Sequence, residues 1–352
     1  MKVVVVGAGY AGTLAANRIA KKVKSANITV INPRPDFVER VRLHQQVAGT
    51  AVATTPLASM LRESITVRVG SVDKIGDGIV ALGDGTDIGF DYAFLAVGSG
   101  VEPIPGAVPM GTWEGAEHAR VALAALEPGS TVTVIGGGAT GIETAAEVAE
   151  ARPDLRVRIV GTRVAGGFSH RAFERVRGGL QRLQVDILDD GVTDVADGIV
   201  HLRSGAELAS NLVLWAIVSG VPGLAARSGL TTDAEGRAHV DAYLRSADDE
   251  RIFVVGDCAA VPGARFACAL AAPQAAHAAD CLARLSAGRK PVPYRLRYVA
   301  RAVTLGRKDA VGQFTRPDDT LRRAYVAGRT AALLKELASR GGKFGAQRSA
   351  GA

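Results

Sequence analysis

Cysteine is scarce in this chain: Cys258, Cys268 and Cys281 stand alone among 352 residues, odd in number and with no C-x-x-C spacing. That argues against a disulfide framework, a cysteine-built zinc site and a dithiol redox centre, and suits a reducing cytoplasm. Aromatic residues reach only 5%. No aromatic-interleaved basic patch or nucleic-acid motif is present, so nucleic acid is not an expected partner. Nothing resembling a secretory signal precedes the apolar run that begins at Lys2. Long hydrophobic runs are also missing. The longest uncharged stretch, residues 208–226, is broken by Asn211, Gly220, Pro222 and Gly223 and reads as a buried strand and turn rather than a membrane span. No Ser/His/Asp set, Cys/His pair or metal-ligand cluster stands out.

What the chain does contain is apolar aliphatic sequence, 47% hydrophobic residues, and 42 glycines. This is the composition of a soluble α/β protein with Val/Ile/Leu strands, Ala-rich helices and tight turns. Its length exceeds what one core usually organises, so two domains and an appendage are expected. The net charge of +7 is uneven: residues 295–352 hold 13 Lys/Arg against 4 Asp/Glu, leaving 29 against 31 in residues 1–294. The basic character belongs to the C-terminal segment. It is either a solvated surface or a site for weak peripheral contact with anionic lipid on the inner face of a membrane, or with an acidic partner.

Lys2–Val6 is the short apolar run of a doubly covered parallel strand, followed by a Gly-rich turn, a helical stretch over 13–22 and a second strand at 28–31. The same βαβ pattern recurs at Thr131–Ile135, 142–150 and 157–160, which implies two nucleotide-binding domains. Residues 99–109 read as a linker, 213–217 and 252–255 as further buried strands, 320–339 as a basic helix, and 341–352 as a frayed tail.

The first turn, Gly7-Ala8-Gly9-Tyr10-Ala11-Gly12, joins strand to helix at the extreme N-terminus. Its glycines let the backbone approach a pyrophosphate whose charge meets open helix N–H groups. A ribose-binding acid is expected about 20 residues on. Asn32 stands there instead and can still hydrogen-bond a hydroxyl through its amide. The second turn, Gly136-Gly137-Gly138-Ala139-Thr140-Gly141, is followed by Glu143. Its ribose position reads Gly161-Thr162-Arg163. An arginine in place of an acid accommodates a 2′-phosphate, which tilts the choice toward NADPH or dual use over NADH alone. A third element, the strand leading into Gly256-Asp257, puts an acid at the ligand crevice of an open sheet, where an N-cap role is the alternative.

Two such turns, Ala96-Val97-Gly98-Ser99 after the strand Tyr92–Leu95, and Gly256-Asp257 near the end together resemble the two-dinucleotide-binding flavoproteins of the pyridine nucleotide-disulfide oxidoreductase superfamily. The redox cysteine pair of that superfamily is replaced by Arg40-Val41-Arg42-Leu43-His44-Gln45-Gln46. The chain therefore resembles the branch of bacterial type II NADH dehydrogenases and apoptosis-inducing-factor-like quinone reductases. Val303-Thr304-Leu305-Gly306-Arg307-Lys308 is similar to that branch's C-terminal region.

The resemblance implies a three-layer α/β fold of two Rossmann-type domains, the second inserted in the first. The FAD domain would comprise residues 1–106 and 232–290, the NAD(P) domain 107–231, and a small acceptor-side segment 291–352. It also implies that Gly7, Gly9, Tyr10, Ala11 and Gly12 hold the FAD pyrophosphate, Asn32 its ribose, and the Val72 backbone its adenine. Arg42 and His44 would lie near its phosphates, with Ala96, Gly98, Gly256 and Asp257 along the ribityl chain. Gly136, Gly138, Thr140, Gly141 and Arg163 would hold NAD(P), and Glu143 would sit between nicotinamide and flavin. Pro273 and Gln274 would open a helix aimed at the flavin, with Gln274 on the acceptor side; the branch's Ala/Gln-rich motif is only partly matched, His277 replacing a second Gln.

The expected function is hydride transfer from NADPH or NADH through flavin N5 directly to an acceptor, quinone-like being favoured. A soluble carrier or small metabolite is the alternative acceptor, and a redox-sensing module without turnover the alternative to an enzyme. A homodimer is left open. The whole reading requires the two glycine turns to face each other across a crevice leading to Asp257.

Overall fold

The computed structural model describes the backbone of residues 1–351 and the side chains through Gln347. In chain order its principal elements are β1 (Lys2–Val6), α1 (Tyr10–Lys22), β2 (Asn27–Asn32), β3 (Asp36–Val38), α2 (Leu43–Ala48), β4 (Ile65–Val69) and β5 (Tyr92–Leu95). Then follow α3 (Trp113–Ala124), β6 (Thr131–Ile135), α4 (Ala139–Ala151), β7 (Arg156–Gly161), α5 (His170–Arg182), β8 (Asp186–Asp189) and β9 (Leu212–Trp215). The chain continues with β10 (Ile252–Val254), α6 (Cys268–Ser286), β11 (Ala300–Thr304), β12 (Ala310–Thr315), β13 (Leu321–Ala327) and α7 (Arg329–Gly351).

The valines of β1 are buried on both faces, as a central parallel strand requires. β1 pairs in parallel with β2 and β5, and the five strands run in the order β10-β5-β1-β2-β4. The second sheet repeats the plan as Val108–Pro109, β9, β6, β7, β8. In each, the order reverses at the first strand, which opens a crevice at the carboxyl ends where the glycine turns sit.

The repetition goes further than the two turns. Between β4 and β5 in the first sheet, and between β8 and β9 in the second, lies a three-stranded antiparallel excursion, Val72–Gly76 with Ile79–Leu82 and Asp87–Gly89, and Val192–Ala196 with Ile199–Leu202 and Glu207–Ala209. Both first hairpins turn on an Asp-Gly pair of positive φ, Asp77 (52°) and Gly78 (78°), Asp197 (50°) and Gly198 (75°). Those angles match the twist of a hairpin, and Asp-Gly adopts them cheaply. Asp-Gly-Ile-Val-x-Leu thus occurs twice, an internal repeat readable in the sequence. The two sheets are joined through connectors that meet where Gly100 N donates to the Gly220 carbonyl (2.8 Å).

Several sequence expectations are corrected. Ile65–Val72, expected as one strand carrying Val72 at its end, is two elements: β4 stops at Val69 and Val72 starts the first excursion. The helix expected over 320–339 is two elements. Pairing with β12 holds Leu321–Ala327 as a strand, Gly328 at φ 77° breaks it, and α7 begins at Arg329. The tail over 341–352 is not frayed within its described part, because α7 continues through it and docks. Lys343 Nζ reaches Glu39 and Thr55, and Ala346 is buried.

Asn17, fully buried on α1, is the anchor of that docking: its amide donates to the carbonyls of Met60 (2.8 Å) and Ala346 (2.7 Å) and accepts from Arg62 N (3.0 Å). Replacing it with alanine removes all three hydrogen bonds and leaves the buried carbonyls of Met60 and Ala346 without this donor, which costs about 3 kcal/mol. Asn17→Ala is expected to lower the thermal midpoint and to make the C-terminal helix more sensitive to limited proteolysis; an unchanged melt would refute that role.

Candidate active site

The first glycine turn is shaped by steric exclusion. Gly7 takes φ 97°, and a Cβ there would lie 2.5 Å from the Ala96 carbonyl oxygen; a Cβ on Gly12 would lie 1.8 Å from the Gly7 carbonyl oxygen. Gly9 meets nothing within 4 Å and opens α1 without a side-chain cap, so the first N–H groups of the helix are free to receive an anion.

In front of this turn lies a cleft of about 400 Å³. Of the residues expected at the cofactor, Gly7, Gly9, Tyr10, Ala11, Asn32, Val72, Ala96, Gly98, Gly256 and Asp257 line it. Gly12 stands behind the turn and permits it. Asn32 is committed elsewhere: its Oδ1 accepts from Ala8 N (3.0 Å) and its Nδ2 donates to the Arg34 carbonyl (2.8 Å). It fastens the glycine turn to the end of β2 rather than offering its amide to a ribose.

Asp257 is held at the far end of the cleft. Ser99 Oγ donates to its Oδ2 (2.8 Å) and Ala267 N to its Oδ1 (3.1 Å). Arg40, which sequence reasoning passed over in favour of Arg42, lines the cleft and donates to both Ser99 oxygens (3.0 and 3.1 Å). α6 starts beside it at Cys268, which lines the cleft together with Ala271. The start of α3 closes the opposite wall, where Glu114 pairs with Arg34.

Other expected residues lie outside the cleft. Arg42 turns away to Glu39, Gln45 and Glu336 (2.9 Å). His44 is buried on α2, and burial, reinforced by the charges of Lys335, Arg307 and Arg42, holds its pKa well below the ordinary value. It is a neutral imidazole, not a cation beside phosphates. Pro273 falls in the second turn of α6 rather than the first, because the helix begins at Cys268. Gln274, 1% exposed, spends its Oε1 on Gly256 N (2.7 Å) and so latches the turn before Asp257 instead of facing an acceptor.

The second turn repeats the first: a Cβ on Gly141 would again lie 1.8 Å from a carbonyl oxygen, that of Gly136. Gly138, Ala139 and Thr140 are exposed at the uncapped start of α4. No residue of this turn lines the cleft of the first. The expected shared crevice is therefore not closed around both turns. The C-terminal segment explains part of this, since it covers α4 one helical turn further on. Thr304 N (2.9 Å) and Oγ1 (3.1 Å) both donate to Glu143 Oε1, and Lys335 Nζ of α7 pairs with the same oxygen. Glu143 is thus engaged by protein. Burial, with the Arg42 charge adding to it and Glu336 opposing, pushes Lys335 down to about 7. Lys335 lies inside the stretch expected as a basic helix, and nothing local in the sequence distinguishes it from its neighbours.

The sequence profile of the pyridine nucleotide-disulphide oxidoreductase family matches residues 1–280. An NADH dehydrogenase-like protein of Mycobacterium tuberculosis is 30% identical over 294 residues, covering 74% of this chain and 73% of that protein. Rhodocoxin reductase of Rhodococcus erythropolis is 29% identical over 296 residues, covering 74% of this chain and 66% of that protein. The structure of sulfide:quinone oxidoreductase from Aquifex aeolicus superposes with a TM-score of 0.84 over 99% of this chain and 92% of that chain at 18% identity, a likeness of fold.

Because Asn32 Nδ2 faces a carbonyl, restoring an acid at this position brings a carboxylate oxygen against the Arg34 oxygen. Asn32→Asp is expected to weaken binding of an adenine dinucleotide in the cleft by roughly tenfold, a buried hydrogen bond being exchanged for a repulsion. Fluorescence titration checks this, and tighter binding would contradict it.

Proposed function

We propose, for a chain that belongs to the pyridine nucleotide-disulphide oxidoreductase family and is an NAD(P)H-dependent flavoprotein oxidoreductase, that it passes hydride equivalents directly to a quinone-like acceptor without a redox disulfide. FAD, when bound, supplies the two-electron chemistry. The residues present fit it: a pyrophosphate would meet the turn Gly7–Gly12 and the open start of α1, the Val72 backbone the adenine, and Asp257, fixed by Ser99 and Ala267, the ribityl hydroxyls. Residues 1–106 and 232–290 would form the FAD domain and residues 107–231 the NAD(P) domain. In the latter, Gly136, Gly138, Thr140 and Gly141 present the exposed start of α4 to the nucleotide. Residues 291–352 would form the acceptor side.

The observation that carries the acceptor choice is the Lys335–Glu143 pair. Reducing a quinone consumes two protons, whereas a one-electron iron–sulfur carrier consumes none. An ammonium titrating near neutrality inside the protein is a group able to give and regain a proton. The same helix turns Leu333, Leu334 and Leu337 to solvent, 49–60% exposed, between Arg329 and Arg340. This is the pattern of a face that rests on an anionic lipid surface where apolar quinones dissolve. Among the described residues no helix is long and apolar enough to cross a membrane. The α2 helix, where the superfamily's cysteines would stand, carries none.

A second reading has its own support. Arg295, Arg297, Arg307, Lys308, Arg322 and Arg323 are exposed, a surface that would steer an acidic carrier protein, and the relative named rhodocoxin reductase points the same way.

Anaerobic flavin reduction by NADH or NADPH, followed by turnover with a water-soluble quinone, a ferredoxin-type carrier and oxygen, separates these readings. With a quinone the acceptor half-reaction is expected to slow as pH rises through about 7, as Lys335 gives up its proton. Lys335→Met should abolish that limb while leaving flavin reduction intact. A profile unchanged in the variant removes the argument for a proton-consuming acceptor.

A further inference from the structure

The end of β2 offers no acid to the cleft. Asn32 spends both atoms of its amide on Ala8 N and the Arg34 carbonyl, so a ribose lying there finds neither a carboxylate nor a free amide on this side. The segment that follows is stiff. Pro33 and Pro35 flank Arg34 and restrict the backbone on both sides of it, and Leu57 N ties the Pro35 carbonyl to the body (2.9 Å).

The opposite wall does carry an acid. Thr112 caps α3 by accepting from Gly115 N (3.1 Å), and a Cβ on Gly115 would lie 1.9 Å from the Pro109 carbonyl oxygen, so the first turn of α3 is pressed against the strand before it. Ala116, Ala119 and Leu123 sink the helix into the core of the second sheet. Glu114 stands on this fixed turn, lines the cleft and accepts from Arg34 through Oε1. Among the described residues nothing donates to its Oε2. A carboxylate has acceptor positions on both oxygens, so one paired oxygen leaves the other available. The Glu114 side chain is 65% exposed, and a pair so open to water fastens the two walls only weakly by itself. Asp36 also lines the cleft, but among the described residues no cation orients its carboxylate.

We propose that Glu114, oriented by Arg34 across the cleft, replaces the acid that β2 lacks, its Oε2 accepting hydrogen bonds from the adenosine ribose hydroxyls of FAD. This rests on the reading that FAD lies in this cleft, and goes beyond it by taking the ribose acceptor from the opposite wall. Arg34 is the positioning residue. Bound FAD then touches the end of β2 and the start of α3 together, and so fastens the two sheets to each other more firmly than the ion pair does.

Flavin-free full chain is titrated, by quenching of flavin fluorescence, with FAD, with FAD analogues whose adenosine lacks the 2′- or the 3′-hydroxyl, and with FMN. In the wild type, losing an accepted hydroxyl should weaken binding roughly tenfold or more, the worth of a charge-assisted hydrogen bond. In Glu114→Ala, FAD should fall to the level of that analogue, while FMN, which has no adenosine, binds as before. Arg34→Met should shrink the difference between FAD and the analogue, Arg34→Lys should restore part of it, and Asp36→Asn should keep it. Because each comparison is between ligands on one variant, a general loosening of the fold does not imitate it. Hydrogen exchange gives a second readout: FAD should slow exchange at the start of α3 in the wild type and not in Glu114→Ala. Equal binding of FAD and both deoxy analogues by the wild type, or discrimination that survives Glu114→Ala or vanishes in Asp36→Asn, overturns the inference and leaves FAD in the cleft. A chain that binds neither FAD nor FMN overturns it together with the proposed function.

Discussion

A single steric constraint underlies both halves of this protein: a helix must begin so close to the strand before it that no Cβ fits between them. At Gly12 against Gly7 and at Gly141 against Gly136 the missing methyl would fall 1.8 Å from a carbonyl oxygen. The close approach lets α1 and α4 follow β1 and β6 after the short turns 7–9 and 136–138, with their first N–H groups at the sheet's carboxyl edge. Sheet order, the position of the crevice and the chemistry suited to it all follow from that approach. Substituting either glycine would have to separate helix from strand, and no surface change could compensate.

This constraint is also why so much of the fold was legible. Gly-x-Gly-x-x-Gly after an apolar run is a local rule, satisfied within a dozen residues. Asp257 was legible for a similar reason, because a strand ending in Gly-Asp fixes the acid at the sheet edge. The excursions with their paired Asp-Gly turns are equally local, since Asp-Gly-Ile-Val-x-Leu stands twice in the chain.

What escaped was what depends on distant partners. Asn32 and Gln274 look like groups offered to a ligand, yet each is consumed by a backbone N–H, of Ala8 and Gly256 respectively, which no neighbouring residue announces. The exchange of Arg42 for Arg40 at the cleft follows from the direction in which a short helix faces. The division of residues 320–339 into strand and helix is a tertiary effect, since β12 recruits Leu321–Ala327 as its partner. Lys335 acquires its character from packing: burial, with the Arg42 charge adding to it, pulls the ammonium below the ordinary lysine range. Charges of the C-terminal helix that look interchangeable in sequence are divided between solvent and ties to Glu39, Arg42 and Glu143.

The meeting of the two connectors at Gly100 and Gly220 has a mechanical side. The two tethers are laced over several residues, Ser219 N donating to the Gly100 carbonyl (3.2 Å) and Glu102 N to Ser219 Oγ (2.5 Å), so they form one double-stranded strap. Any displacement of one sheet against the other has to flex this strap, and α7, tied to Glu39 and Arg42 on one side and Glu143 on the other, would have to yield with it.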